Sequence, residues 1–151
     1  MDRVTLRSQI QRAFDGVKLG DGVGLMQAQG LDDYADAVTL ARYRAQDEKD
    51  DWSKIAADQL DQCYSSLSFF DAEGMRFHLP AFLIAHLDGT FHQDDVLFTL
   101  TDTELERLSR FDLLSDQQRR AVRNFLEHEL SINTDFVRPM IEKALSDYWN
   151  S

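Results

Sequence analysis

A chain of 151 residues with 43% hydrophobic and 28% charged residues has the size and composition of one soluble globular domain, which we place at residues 1–151. A formal net charge of −11 excludes binding to nucleic acid or to an anionic membrane surface by charge, because both would repel the chain. The single cysteine, Cys63, excludes a disulfide framework and fits a reducing compartment. We therefore expect a cytoplasmic protein that does not cross a membrane.

The first part of the chain predicts a helix followed by a glycine-rich loop. Leu6, Ile10 and Phe14 recur at helical spacing and predict a helix over 5–15. Residues 18–24 contain three glycines and predict a loop between helices. The loop lacks the lysine and hydroxyl residue that a phosphate-binding loop requires, so it indicates no nucleotide site.

An acidic helix is predicted next, over about residues 33–48. Asp32 and Asp33 are suited to cap its N-terminus, because a short carboxylate accepts the unpaired N–H groups there. A modest apolar stripe runs along this helix: Tyr34, Ala37, Val38, Ala41 and Ala45. Acidic residues crowd its other end: Asp47, Glu48, Asp50 and Asp51. Carboxylates at a helix C-terminus interact unfavourably with the helix dipole and lower the stability of the fold. Since no folding reason for these acids is visible in the sequence, we interpret them as a functional patch.

Residues 67–79 predict a small β-hairpin. Apolar residues alternate or cluster on both sides of Gly74, which would supply the positive φ of a tight turn. Pro80 then suits the first position of an apolar helix that ends near Leu87 and lies at the centre of the core. The predicted fold class is therefore mainly α (α+β): a compact single-domain helical bundle with this one hairpin.

The last third of the chain predicts two longer helices. Ser115 and Gln118 have the spacing of a capping box and open the first of them. The second is expected to start near Thr134 or Asp135 and to hold Pro139 in its first turns. Both carry apolar residues at helical spacing, which indicates that both pack on the core.

No motif for catalysis or for a cofactor is present. No histidine pair has zinc-ligand spacing, and no serine has the context of a nucleophile. His86 and His92, with Asp94 and Asp95, leave open a mixed histidine and carboxylate metal site. We expect no enzymatic activity, no bound metal and no cofactor.

Two segments carry a family resemblance. Residues 67–82 read Leu-Ser-Phe-Phe-Asp-Ala-Glu-Gly-Met-Arg-Phe-His-Leu-Pro-Ala-Phe, and residues 111–126 read Phe-Asp-Leu-Leu-Ser-Asp-Gln-Gln-Arg-Arg-Ala-Val-Arg-Asn-Phe-Leu. Together with positions 10–14 and 51–52, they resemble an uncharacterised bacterial family of small domains of unknown function. The resemblance covers most of the chain and brings no catalytic residues with it. Small acidic proteins of this kind also resemble, in type only, the immunity proteins that neutralise bacterial toxins.

The concentrated negative charge leads to the functional expectation. Residues 31–100 contain fourteen acidic and five basic side chains, a net charge of −9. We expect a binding protein, most concretely an immunity protein whose carboxylates occlude the active cleft of a basic toxin. The acidic face expected to bind this partner comprises Asp32, Asp33, Asp36, Asp47, Glu48, Asp50, Asp51, Asp94 and Asp95. The alternative is a regulatory or scaffolding interaction domain without catalysis, whose binding would be insensitive to salt.

Overall fold

The structure, a computed structural model, describes residues 1–133 and 136–150. Over these ranges it is mainly helical and contains no β-strand. The helices are α1 (Arg3–Ala13), α2 (Leu25–Asp32), α3 (Ala37–Gln46), α4 (Ala57–Gln62), α5 (Ala72–Leu87), α6 (Asp95–Thr101), α7 (Leu105–Leu108), α8 (Asp116–Ile132) and α9 (Val137–Ala144). Short 3₁₀ segments lie at Trp52–Lys54, Tyr64–Ser68 and Ser109–Phe111. None of the helices in these ranges has both the length and the apolarity that a membrane crossing demands.

Helix α5 occupies the centre of the core. It buries 11 of its 16 residues, so nearly every side of it meets other parts of the protein. Helices α1, α4 and α6 pack against it, as do two of the 3₁₀ segments. The fully buried ring of Phe82 lies edge-on to the ring of Phe91, with centroids 5.2 Å apart. Helix α5 therefore positions these elements directly, and it positions α8 through α1 and α9 through α6.

The β-hairpin predicted at residues 67–79 is wrong, because most of this segment is helical. Asp71 caps the N-terminus of α5, where its Oδ1 accepts the N–H of Gly74 at 2.8 Å. Gly74 does not have a positive φ. It is a buried helical residue at which an added Cβ would lie 2.6 Å from the carbonyl oxygen of Val23. Glycine is needed here for close packing, and not for a turn.

Pro80 also has a different place from the one predicted, inside α5 rather than at its start. A proline in a helix interior has no N–H to donate, so it removes one backbone hydrogen bond. The helix tolerates this because packing surrounds it, and Pro80 itself is buried. The same burial on all sides explains the wrong strand prediction, since a helix that is apolar all round shows no 3.6-residue periodicity.

The acidic helix predicted over 33–48 is shorter in the structure, where α3 covers Ala37–Gln46 and follows the separate helix α2. Helices α2 and α3 form an antiparallel hairpin in which Gly30 of α2 lies against Leu40 of α3. Asp33 ends α2, and Asp36 caps α3 by accepting the N–H of Thr39 at 2.8 Å. The N-cap is therefore Asp36 and neither of the two aspartates predicted.

The C-terminal third closes the core. The predicted capping box is confirmed: Ser115 Oγ accepts the N–H of Gln118, whose side chain accepts the N–H of Ser115. Helix α8 packs on α1, and α9 continues into a wider helical turn, Leu145–Trp149, that packs on α8. Trp149 is buried there and donates its indole N–H to the carbonyl oxygen of Leu100 at 2.9 Å. The predicted helix start at Thr134 or Asp135 lies outside the described residues.

Candidate protein-binding surface

Helix α3 carries an apolar face that no described part of the chain covers. None of its residues is buried. One side contacts α2, where Leu40 and Tyr43 lie against Gly30. The exposed residues of the α3 face, together with the tyrosine that precedes the helix, are Tyr34, Ala37, Val38, Ala41 and Ala45. These are the residues of the predicted apolar stripe, so the stripe faces solvent and not the core.

Tyr34 stands out at one end of this face. Its side chain is 95% exposed, and Val38, one turn away, is 77% exposed. The backbone of Tyr34 has φ +58°, and among the described residues no other non-glycine has a positive φ. Ala35 donates its N–H to the carbonyl oxygen of Gly30 at 2.9 Å, which is the hydrogen bond of a Schellman motif with Tyr34 at the left-handed position.

The left-handed conformation favours glycine, because a residue with a side chain pays roughly 1 kcal/mol to adopt it. Tyr34 bears this backbone cost and also holds a large aromatic ring in water. Neither feature stabilises the fold. A strained residue with an exposed aromatic side chain is the combination found at binding surfaces, where tyrosine supplies contact area at low entropic cost.

Carboxylates surround the tip that joins α2 to α3. Asp32, Asp33 and Asp36 lie within four residues of one another, and the chain has no lysine or arginine between Lys18 and Arg42. The backbone and side chain of Thr39 lower the pKa of Asp36, so this carboxylate stays ionised while it caps α3. The tip therefore combines an exposed aromatic ring with negative charge.

Asp47 has a structural role at the other end of α3. It is 4% exposed, and its two carboxylate oxygens accept the N–H groups of Met26 and Gln27 at 2.8 and 3.1 Å. It thus caps the N-terminus of α2 from 20 residues away, and burial raises the pKa of its carboxyl group. Gly24 makes room for it, because an added Cβ there would lie 2.1 Å from an Asp47 oxygen. The acid at the end of α3 has a folding reason after all.

The remaining acids of this stretch are also engaged locally. Glu48 accepts the N–H groups of Asp50 and Asp51 at 3.1 and 3.2 Å, and these bonds lower the pKa of its carboxyl group. Asp51 accepts both the hydroxyl and the N–H of Ser53, which lowers the pKa of Asp51. Asp50 is the exposed member of the group. These local hydrogen bonds hold Glu48 and Asp51 in the chain that leads into Trp52.

The predicted acidic residues are not brought together on one surface. Asp36 and Asp47 lie at opposite ends of α3, about 16 Å apart at 1.5 Å per residue. Asp94 and Asp95 lie at the start of α6, which packs on α5, α9 and the Tyr64–Ser68 segment. Asp36 adjoins the Tyr34 end of the exposed apolar face, and the group that begins with Asp47 follows its Ala45 end.

The histidines and acids that left a metal site open are separated as well. His86 pairs with Glu129, with Nε2 and Oε1 3.0 Å apart, and His92 pairs with Asp61. In residues 1–133 and 136–150, no group of three or more histidine, cysteine or acidic side chains is placed to hold a metal ion.

The described residues form a helical domain in which the apolar face of α3 is exposed and has carboxylates at its rim. A family model described as a family of unknown function, DUF6714, matches residues 2–151, and the chain belongs to that family. Searches of the curated proteins and of the solved structures found no match.

Proposed function

We propose that this protein binds a basic partner protein through the α3 face and the acidic tip beside it. The observation that carries the proposal is the exposure of the whole apolar stripe from Tyr34 to Ala45, along a ten-residue helix none of whose residues is buried. An exposed apolar stripe rimmed by charge is typical of a protein interface.

The partner's chemistry follows from shape and charge. Tyr34, Val38, Ala41 and Ala45 are spaced four, three and four residues apart, which is the spacing of a seam that receives a helix or another apolar ridge. Small alanines let the partner's backbone approach closely. Asp32, Asp33 and Asp36 at the rim favour lysine and arginine opposite them, and the net charge of −11 speeds encounter with such a partner.

An immunity protein that neutralises a basic bacterial toxin is the most concrete form of this proposal. In that form the tip carboxylates enter the toxin's cationic cleft, and Tyr34 anchors the contact beside it. A cytoplasmic protein without enzymatic activity fits that role.

The proposal is tested with the purified product of the adjacent gene, by titration calorimetry at two salt concentrations. We expect binding that weakens as salt rises. Changing Asp32 and Asp33 to lysine and Asp36 to asparagine should weaken binding by tenfold or more, because the negative charge of the tip is removed. Asparagine is chosen at position 36 because its side-chain oxygen still caps α3. Tyr34→Ala should cost about 2 kcal/mol of binding free energy if Tyr34 is the anchor.

Two controls separate the tip from the overall charge. Asp15 and Asp112 are exposed aspartates away from α2 and α3, and changing both to lysine alters the net charge by a similar amount. This double variant should keep nearly full affinity. A basic neighbour protein that binds the tip variants as tightly as it binds the native chain would overturn the proposal, and so would a neighbour protein that does not bind at all.

Self-association is the second candidate, favoured by the same exposed stripe. A scaffolding domain that pairs two α3 faces would bury Val38 and the alanines against their own copies. Sedimentation of the protein at low and high salt distinguishes the two. A dimer that persists at high salt and is lost in Val38→Glu supports scaffolding, whereas a monomer at all salt concentrations contradicts it.

A further inference from the structure

A second surface feature lies away from the α3 face. A cleft of about 580 Å³ opens between α6, the end of the Tyr64–Ser68 segment and the Ser109–Phe111 segment. We call it the Arg110 cleft and define it by Phe69, Asp95, Phe98, Thr99, Asp102 and Arg110. Its size suits a small molecule. It contains an arginine whose Nε has no hydrogen-bond partner and an aspartate that forms no ion pair in the described part of the chain.

Arg110 is the positive group. Its side chain is 12% exposed, and burial lowers the pKa of its guanidinium. One N–H of the guanidinium donates to the carbonyl oxygen of Thr99 at 3.0 Å, while Nε is buried without a hydrogen-bond partner. The closest carboxylate, Asp102, is 4.0 Å away and is held by Arg107 at 2.6 Å. Arg110 therefore shares the carboxylate of Asp102 with Arg107, at the longer of the two distances, and its buried Nε keeps an unused donor.

Asp95 is the negative group. Burial, with the neighbouring carboxylate of Asp94, raises the pKa of Asp95. It forms no ion pair with any cation in the described part of the chain. It lies on the same face of α6 as Thr99, one turn away, which is about 6 Å along the helix. Arg110 donates to the carbonyl oxygen of Thr99, so Asp95 and Arg110 both line the cleft along α6.

Aromatic rings form the apolar part of the cleft. Phe69 is 38% exposed and Phe98 is 49% exposed, although both are large apolar residues next to the core. Phe98 comes three residues after Asp95 and four residues before Asp102, and all three residues line the cleft. An apolar group that enters the cleft would cover these rings and remove them from water.

We propose that the Arg110 cleft binds a small zwitterion with an apolar side chain, of the α-amino-acid class. The carboxylate of the ligand pairs with Arg110, its ammonium group pairs with Asp95, and its side chain packs on Phe69 and Phe98. Arg110 then gains an anion that it does not share with Arg107, Asp95 gains a cation, and the two exposed rings are covered.

Calorimetry on the full chain with L-phenylalanine and L-leucine tests this. We expect saturable binding of at least one of them at millimolar or lower concentration. Three truncated probes remove one feature each: 3-phenylpropanoate lacks the ammonium group, 2-phenylethylamine lacks the carboxylate, and L-alanine lacks the apolar group. Each should bind at least about tenfold more weakly, as the loss of a charged or apolar contact requires.

Variants of the cleft give an independent readout. Arg110→Gln, Asp95→Asn and Phe98→Ala should each weaken binding by about tenfold. Arg120→Gln, which removes an exposed arginine from α8, should leave binding unchanged. Phe98 is half exposed, so Phe98→Ala keeps the fold and remains informative even if Arg110→Gln does not fold.

Three results would overturn the proposal. The first is the absence of saturable heat with both amino acids. The second is equal affinity for the zwitterions and for the probes that lack one charge. The third is native affinity in both Asp95→Asn and Phe98→Ala. None of these results depends on the α3 face, so each leaves the function proposed above unaffected.

Discussion

Helices α3 and α5 both carry apolar residues, and the protein uses them in opposite ways. Helix α5 buries 11 of its 16 residues, whereas α3 buries none of its ten. Each helix is capped by an aspartate, Asp71 for α5 and Asp36 for α3. Capping therefore does not distinguish a core helix from a surface helix. The two helices differ in how many neighbours surround them. Helix α5 contacts α1, α4 and α6, whereas α3 packs on α2 along one side.

This difference implies that the two helices contribute to different free energies. The apolar residues of α5 stabilise the folded state by burial. The apolar residues on the exposed face of α3 gain nothing until a partner covers them, so we expect them to contribute to binding. Substitutions in α5 should therefore change the free energy of unfolding, and substitutions on the exposed face of α3 should change the free energy of binding.

The largest effect is expected at Phe82 in α5. Phe82→Ala removes a fully buried ring and leaves a cavity, which should cost about 3–5 kcal/mol of unfolding free energy. Val38→Ala in α3, where the side chain is 77% exposed, should change stability by less than about 0.5 kcal/mol. Urea unfolding followed by circular dichroism measures both. A large loss in Val38→Ala would show that α3 is packed more tightly than its exposure indicates.

The second effect is a dependence of stability on pH that originates in α5. His78 is fully buried, and its Nδ1 donates to the carbonyl oxygen of Gly74 at 2.7 Å. Its Nε2 has no partner in the described structure, and its ring stacks on Phe70 with centroids 4.3 Å apart. Burial lowers the pKa of His78 to about 4. The native imidazole therefore stays neutral at a pH where an unfolded histidine is already charged.

The sign follows from proton uptake. Between pH 6.5 and pH 4 the unfolded chain binds a proton at His78 that the native chain does not, so stability is full above pH 6.5 and falls as the pH drops towards 4. We expect a loss of about 2 kcal/mol between pH 7.5 and pH 5. His78→Phe keeps the ring stacking and removes the titration, so this loss should vanish. An unchanged loss in His78→Phe would assign it to other groups.

A smaller effect is expected at the base of the α2–α3 hairpin. Asp47→Ala leaves the N–H groups of Met26 and Gln27 without their acceptor and should cost about 1–2 kcal/mol. Asp47→Asn retains an acceptor oxygen and should cost less. The matched control is Asp50→Ala, an exposed neighbour, for which less than about 0.5 kcal/mol is expected. Equal costs for Asp47→Ala and Asp50→Ala in thermal unfolding would contradict the capping role.

The smallest effect has the opposite sign. Tyr34→Gly relieves a left-handed backbone at a side chain that is 95% exposed, and it should stabilise the protein by up to about 1 kcal/mol. The same variant should lose affinity for the basic partner. Calorimetric unfolding of the variant tests the gain in stability, and titration of the same sample with the partner tests the loss of affinity. A variant that is less stable would show that the ring of Tyr34 supports the fold.

The mainly helical class and the capping box at Ser115 follow from local patterns, and both could be predicted from the sequence. The start of α5 could not, because burial on all sides removes the 3.6-residue periodicity, and the alternation of Met75, Phe77 and Leu79 with polar residues is then typical of a strand. One local cue for the helix was present: Asp71 stands three residues before Gly74, which is the spacing of an N-cap and its acceptor bond. Turn chemistry at Gly74 was the competing interpretation, and close packing against Val23 explains that glycine instead.

The candidate site was harder to predict, because its features depend on contacts between distant residues. Nothing local shows that Asp47 caps a helix that starts 22 residues earlier, or that the stripe of α3 meets no other element. The Arg110 cleft joins segments around residues 69, 95 and 110, and neither Arg110 nor Phe98 belongs to a recognisable motif. Charge could be counted from the sequence, but its distribution between caps and exposed surface required the fold.

The absence of buried residues in α3 has a consequence for how the family can change over time. Substitutions on the α3 face cost little folding stability, so this face can diverge while the rest of the domain is kept. Gly24 and Gly74 cannot vary in this way, because a Cβ at either position would clash with a neighbouring oxygen. Asp47 is constrained because the N–H groups of Met26 and Gln27 need its carboxylate as their acceptor. We expect related domains to share these three residues and to differ most from residue 34 to residue 45, each lineage matching its own partner on a common scaffold.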